Sequence, residues 1–148
     1  MARMWMVRSE GGSLYDAFRE RGVAAVGWSQ LAAHAKPGIG RKELIAIYQT
    51  SEPEAKQGTV VSAASQTYRF VNEIQLGDWI ITYSPPNRLY SIGKVVGPAE
   101  HRPEWAEQGM GLVRKVSWQD QELPRDSLST STKNSLGSTL TLFEVPPS

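Results

Sequence analysis

Residue types that commonly carry chemistry are scarce in this chain. Its 148 residues include no cysteine and only two histidines, His34 and His101, in separate loops. Without cysteine there is no disulfide, no thiolate zinc site and no cysteine nucleophile. Neither a P-loop nor a Gly-x-Ser-x-Gly motif occurs, and Asp78 after Gly77 is more typical of a turn than of a catalytic base. We therefore expect no catalytic residue, no metal site and no cofactor.

Tryptophan is the more informative residue type, since the chain has five of them. Trp5 and Trp79 lie in apolar runs that are typical of strands, which favours a place in the core. Trp28 instead ends an apolar run just before the polar Ser29, and Trp105 lies in a loop with Pro, Glu and His. A tryptophan in such a position is either a loop anchor or a flat surface for stacking a planar ligand. The sequence leaves both interpretations open.

The overall composition is that of one folded domain with almost no net charge. Hydrophobic residues make up 40% of the chain, and 16 Lys and Arg against 15 Asp and Glu give a formal charge of +1. A non-specific binder of duplex DNA usually carries a clear basic excess, so any polyanion contact must be local. The first residues lack a signal-peptide pattern, and no stretch approaches the roughly 18 apolar residues of a membrane span. We expect a cytoplasmic protein with no membrane contact.

Hydrophobic periodicity predicts an α+β fold. Because the later strands follow one another without crossover helices, the sheet is expected to be mostly antiparallel. We expect one domain over residues 1–145, with 146–148 as the start of a linker to a missing C-terminal domain. Predicted helices cover 14–21, 41–50 and about 56–73, and predicted strands cover 3–9, 23–28, 79–83, 89–96, 112–118 and 138–145.

Five segments, taken in order, carry a family resemblance: residues 4–10, 22–31, 66–83, 112–118 and 132–143. Residues 4–10 run from a strand into a Ser-Glu turn, 22–31 contain a Gly-Trp pair, and 66–83 combine a helix with Gly-Asp and a strand. Together the segments resemble the EVE-like and YTH-like branches of the PUA superfamily. They are most similar to the N-terminal domains that precede Mrr-type nuclease domains in bacterial restriction proteins. One departure is Gly11, where many EVE domains have proline after Ser-Glu.

The resemblance implies a curved, mostly antiparallel β-barrel of five to six strands flanked by about three helices, whose pocket holds one flipped, modified base. Trp28 and Trp105 correspond by position to the aromatic walls of that pocket. The resemblance further implies contacts to the base edge from Ser9, Glu10, Ser29, Tyr83 and Ser84. Contacts to the nucleic-acid backbone are implied for Arg8, Arg88, Arg114, Lys133 and Asn134.

The function implied by the resemblance is that of a non-catalytic module. It would recognise a methylcytosine derivative or N6-methyladenine in double-stranded DNA and target a fused Mrr-type restriction endonuclease to modified foreign DNA. The implied partners are that DNA, the fused nuclease domain and, in a full-length protein, a second copy of the chain. The nearest alternative is a reader of modified RNA. Alternatives of another class are a small hydrolase that recruits Lys94, Tyr83 or Glu10, and a protein-interaction module with an aromatic hot spot.

Overall fold

The computed structural model describes residues 2–138 and 140–146. Within these residues the α-helices are α1 (Tyr15–Arg21), α2 (Ser29–Ala32), α3 (Arg41–Ser51), α4 (Gln57–Tyr68) and α5 (Thr130–Ser135). The strands are β1 (Met4–Val7), β2 (Val23–Val26), β3 (Trp79–Ser84), β4 (Leu89–His101), β5 (Leu112–Trp118), β6 (Leu123–Pro124) and β7 (Leu142–Val145). Shorter helical segments are the 3₁₀ turns Glu10–Gly12, Pro103–Gln108 and Arg125–Ser127, and a π-helical turn, Arg69–Glu73, directly after α4.

All seven strands in the described residues belong to one sheet, in the order β2-β5-β4-β3-β1-β7, with the short β6 added to β4. The expected α+β class and the mostly antiparallel pairing are confirmed, although β1 and β3 run parallel. The expected curved β-barrel of five to six strands is wrong, because the seven described strands form an open sheet with β2 and β7 at its two ends. A barrel closes only when its first and last strands pair with each other at a fixed tilt and stagger. Within the residues that the structure describes, the end strands β2 and β7 of this sheet do not pair with each other.

Two compact units are defined by the contacts within the chain. The first unit comprises Met1–Ala24, Gln75–Gly97 and Lys115–Ser148, and the second comprises Ala25–Ile74 and Pro98–Arg114. Strands β2, β4 and β5 each contribute residues to both.

One apolar cluster of the first unit lies on one face of the sheet. Alternation along each strand places Met6, Ile81 and Ile92 side by side in the register of β1, β3 and β4. A buried cluster forms there from Met6, Ile81, Tyr90, Leu136 and Phe143. Trp5 is fully buried and belongs to the opposite face, which confirms its prediction as a core residue. Trp79 is only half-buried, with the Lys94 amine 4.9 Å from the centre of its ring, so its prediction as a core residue is wrong.

The second unit is built around the helices. Helix α3 packs against both α2 and α4. Asn72 in the π-helical turn ties down the loop before α3, because its side chain accepts from the Gly38 amide at 2.7 Å and donates to the Ile39 carbonyl at 2.8 Å. These two hydrogen bonds fix the backbone of the loop that Pro37, Gly38 and Gly40 predicted.

Several predicted element bounds agree with the structure. Strand β5 has the predicted limits, and helix α1 ends at Gly22, whose φ of 65° is the left-handed conformation that glycine adopts readily. The predicted helix over 56–73 continues past α4 only as the π-helical turn. The strand predicted over 138–145 is confined to β7, and residue 139 lies outside the described residues. Helices α2 and α5 were not predicted, since four and six residues are too few for a helical period to be recognised.

None of the helices in the described residues is long and apolar enough to cross a membrane.

Candidate nucleic-acid interface

Trp28 and Trp105, hereafter the tryptophan pair, both lie in the second unit and are both half-buried. Trp28 precedes α2 and caps it, since its carbonyl accepts from the amides of Leu31 and Ala32 at 3.0 Å each. Trp105 lies in the 3₁₀ turn Pro103–Gln108, and its carbonyl accepts from the Met110 amide at 3.1 Å. Each indole is therefore carried by a short helical segment that is anchored through its own backbone.

Small residues bring these two segments into contact. A Cβ atom built on Gly27 would lie 2.9 Å from the carbonyl oxygen of Gly109, so the two backbones touch at a place where only glycine fits. A Cβ atom on Gly111 would lie 3.6 Å from both Ala32 in α2 and Ala106 in the 3₁₀ turn. The segments that bear the tryptophan pair are thus neighbours in space although they are far apart in the sequence.

One of the two indoles has a cation beside its ring. The guanidinium of Arg102 lies 5.2 Å from the centre of the Trp105 ring, within the range of a cation–π interaction. Two carboxylates hold that guanidinium, Glu100 at 3.2 Å and Glu104 at 3.5 Å. The carboxylates fix the position of Arg102, and Arg102 in turn restricts the orientation of the indole.

The remaining residues expected at the base edge fall into two groups. Ser29 is exposed at the start of α2, directly after Trp28, in the second unit. The other four residues are in the first unit and lie close to one another: Ser9, Glu10, Tyr83 and Ser84.

In the first unit these residues support the hairpin of β3 and β4. The hydroxyl of Ser9, which is 1% exposed, donates to the Tyr83 carbonyl at 3.2 Å, and Ser84, 2% exposed, accepts from the Asn87 amide side chain at 3.2 Å. The Tyr83 ring stacks on Tyr90 with 4.4 Å between ring centres. Glu10 is exposed and has a φ of 54°, which is uncommon for a residue other than glycine. Both serine hydroxyls are therefore engaged by the fold.

The expected backbone contacts also differ in what surrounds them. Arg114 is 3% exposed, and its Nη1 donates to the carbonyls of Phe70 and Ile74 at 2.9 Å each. A guanidinium buried in this way links the π-helical turn to the residue that follows it, and it does not lie at the surface, where a phosphate would bind. The expectation for Arg114 is corrected accordingly.

The other four expected backbone contacts are nearer the surface, in the first unit. Arg8 is half-buried, and its guanidinium donates to the carbonyls of Leu136, Ser138 and Leu140. Arg88 is exposed and hydrogen-bonds Asp126, which raises the pKa of Arg88 and lowers the pKa of Asp126. Lys133 is half-buried and Asn134 is exposed, both on α5. The exposed surface of this group therefore carries Arg88 and Asn134.

A partly buried polar network that was not predicted lies in the first unit. The hydroxyl of Tyr15 donates to Glu122 at 2.7 Å and lies 2.6 Å from the hydroxyl of Ser91, to which Arg19 donates at 2.7 Å. Because the tyrosine has one hydroxyl proton and Glu122 takes it, Ser91 is the donor to Tyr15. Burial is the main cause that raises the pKa of Tyr15 to about 12.

Groups that could hold a metal ion were not found among the described residues. His34 and His101 are both exposed, in different segments. Asp78 is buried, and its carboxylate accepts hydrogen bonds from three donors of its own unit.

The fold is thus an α+β domain with an open, mostly antiparallel sheet, and its candidate site is a pair of half-buried tryptophans on adjoining short helical segments. Residues 4–145 match the family described as Domain of unknown function (DUF8426), and the chain belongs to that family. No match to a curated protein was found.

Proposed function

We propose that the chain is a non-catalytic DNA-binding module that takes a flipped, methylated base against the tryptophan pair and delivers a joined nuclease to modified DNA. The observation that carries the proposal is the junction of the two segments at Gly27 and Gly109. That junction brings a half-buried tryptophan from each segment to one region of the second unit.

The energetics favour an aromatic site of this kind for a flipped base. Extruding a base from the duplex costs a few kcal/mol, and stacking on an aromatic side chain returns about 1 to 3 kcal/mol per base. A methyl group adds apolar area, and its removal from water adds about 25 cal/mol per Å². A modified base therefore gains more than a plain one from the same aromatic surfaces.

Polar residues next to the tryptophan pair can hydrogen-bond the edge of a base and restrain one indole. The exposed Ser29 hydroxyl follows Trp28 directly and can donate to or accept from the edge of a base. Arg102 restrains the Trp105 indole from one side, so that less conformational entropy is lost when a base stacks on it. The proposal relies on these residues and not on Ser9 or Ser84, whose hydroxyls are engaged elsewhere.

The experiment that tests the proposal is fluorescence-anisotropy binding to one duplex in four matched versions at fixed salt. The versions carry a plain base, N6-methyladenine, 5-methylcytosine or 5-hydroxymethylcytosine at one position. We expect one version to bind at least about tenfold more tightly than the plain duplex, a difference of about 1.4 kcal/mol. Equal binding of all four would overturn the proposal for DNA, and the same series made in RNA then tests the alternative reader.

Substitution of either member of the tryptophan pair is expected to weaken binding to the modified duplex. Trp28→Ala and Trp105→Ala should each lose about 1 to 3 kcal/mol of binding to the preferred duplex, because each removes one stacking surface. The matched control is Trp79→Ala, which truncates a half-buried tryptophan in the first unit. We expect that control to leave the ratio of modified to plain binding unchanged. The tryptophan pair is not the binding site if Trp28→Ala and Trp105→Ala keep the wild-type ratio of modified to plain binding and have the same melting temperature as Trp79→Ala.

A further inference from the structure

A cavity of about 490 Å³ lies in the first unit, apart from the tryptophan pair. Its walls are aliphatic side chains of the sheet and of the segment before α5. Volumes of about 300 to 1,000 Å³ with mostly apolar walls are typical of small-molecule sites. The main apolar lining residues are Met4, Ile81, Ile92, Leu123, Leu128 and Val145.

The cavity lies between α5 and the strands of one sheet face. Thr132 and Ser135 of α5 line it on one side, and Ile81 of β3 and Ile92 of β4 line it on the other. Leu136, directly after α5, belongs to the buried cluster with Met6 and Phe143. Met4, Ile92 and Val145 pack against that cluster but remain half-buried. Apolar surface is thus left open beside the cluster.

Polar groups of the cavity define the chemistry of an occupant. Thr132 Oγ1 accepts from Ser129 at 2.9 Å, which leaves the Thr132 hydroxyl proton to donate. Ser135 donates to the Ser131 carbonyl at 3.2 Å, which leaves its oxygen to accept. One donor and one acceptor beside an apolar chamber match a hydroxyl or a primary amide.

The charges of the cavity lining cancel each other. Arg3 and Glu144 form a bidentate ion pair, with Nε to Oε2 and Nη2 to Oε1 both at 2.7 Å. A paired guanidinium offers little attraction to a carboxylate or phosphate, since such a ligand would have to displace Glu144. The lining therefore favours an uncharged ligand.

We propose that this cavity binds an uncharged, mostly apolar small molecule that carries one hydroxyl or amide group. The apolar part occupies the chamber between Ile81, Ile92, Leu128 and Val145. The polar group exchanges hydrogen bonds with Thr132 and Ser135. The site is independent of the proposed base recognition, so either can fail without the other.

The test is binding of Nile red to the whole chain, followed by displacement with decanol, decanamide and decanoate. We expect saturable binding of one dye per chain, and displacement by decanol and decanamide at concentrations at least about tenfold lower than by decanoate. Absence of saturable dye binding, or equal displacement by the charged and uncharged ligands, would overturn the proposal.

Two substitutions assign the dye to the cavity. Leu128→Trp fills the chamber and should raise the Kd for Nile red at least about tenfold, whereas Leu76→Trp adds the same group at a position that is 66% exposed and outside the lining. Val145→Phe serves in place of Leu128→Trp if that variant melts at a lower temperature than the wild type. Unchanged dye binding in a folded cavity-filling variant would contradict the assignment. Thr132→Val removes the hydroxyl that would bind the polar group. It should therefore reduce the difference between the concentrations of decanol and decanoate that displace the dye.

Discussion

At the scale of single residues, Asp78 is a buried carboxylate whose hydrogen bonds give it a structural role. Its Oδ1 accepts from the Arg3 amide at 3.1 Å, and its Oδ2 accepts from Trp5 Nε1 at 3.0 Å and from the Gln75 amide at 2.9 Å. Asp78 is buried, so this carboxylate joins β1, the preceding turn and β3. Its own amide also donates to the Gln75 carbonyl at 3.0 Å, which is the turn that the Gly-Asp pattern before an apolar strand predicted.

Removing this carboxylate should be strongly destabilising. Asp78→Ala leaves three donors without their acceptor, and we expect the free energy of unfolding to fall by about 3 kcal/mol. Urea denaturation measures the change. Asp120→Ala, which removes an exposed carboxylate, is the control and should change the free energy by less than about 0.5 kcal/mol. A similar small change in both variants would show that the three hydrogen bonds to Asp78 contribute little to the free energy of unfolding.

Tyr15 makes stability depend on alkaline pH. Its pKa in the folded chain is raised from the ordinary 10 to about 12, mainly by burial. The folded state therefore favours the neutral phenol, and the resulting stabilisation is complete below pH 10 and is lost as the pH rises from 10 to about 12. Denaturation of the wild type and of Tyr15→Phe across this range should show a steeper loss in the wild type. Equal slopes would mean that Tyr15 titrates normally.

At the scale of elements, close approach of strands β4 and β5 requires a residue without a side chain. A Cβ atom on Gly93 would lie 2.5 Å from Val116 Cγ1 and 2.8 Å from the Ser117 carbonyl oxygen. Trp118 Cε3 would lie 2.9 Å from the same Cβ atom, so an added methyl group meets two side chains and a backbone atom of β5. Gly93 is therefore a determinant of the sheet.

Gly93→Ala should lower the free energy of unfolding by about 1 to 3 kcal/mol, as overpacked substitutions do. The same exchange at Gly58, in α4 and with nothing within 4 Å of its added Cβ, is the control. Alanine is the better helix former, so Gly58→Ala should raise the free energy by up to about 1 kcal/mol. Thermal denaturation of the two variants gives the comparison, and a stable Gly93→Ala would contradict the packing argument.

At the scale of the whole molecule, the net charge of +1 limits what non-specific attraction to DNA can supply. Salt-dependent affinity comes from cations that displace counterions at phosphates. In this chain Arg114 is buried, and Arg88 is paired with Asp126. Under the proposed function, selectivity for modified over plain DNA therefore comes from the tryptophan pair and not from phosphate contacts.

This distribution of charge predicts a specific salt response. We expect plain duplex to bind weakly, with a Kd of about 10⁻⁴ M at physiological salt. The ratio of modified to plain binding should stay constant between about 50 and about 200 mM salt, because base stacking releases no counterions. Anisotropy titrations at several salt concentrations measure both quantities. A ratio that falls with salt would assign the selectivity to phosphate contacts.

What the sequence determined by itself is the part of the fold that depends on neighbouring residues. Apolar periodicity and Gly22 determined α1 and its end, and the alternation over 112–118 determined β5. The run of strands without crossover helices determined a mostly antiparallel sheet, because the chain is too short there for parallel crossovers.

Contacts between distant residues were decided by the tertiary structure alone. Gly27 lies in the predicted strand 23–28, and nothing in the sequence indicates that it touches Gly109. Only that contact brings the segments of Trp28 and Trp105 together. Arg114 has the sequence pattern of an exposed strand residue, yet it is buried and its guanidinium donates to the carbonyls of Phe70 and Ile74. The open sheet follows from which strands pair, and the cavity follows from which side chains of α5 and of the sheet lie together. Local sequence cannot specify these features, because burial and convergence depend on the packing of elements that are remote along the chain.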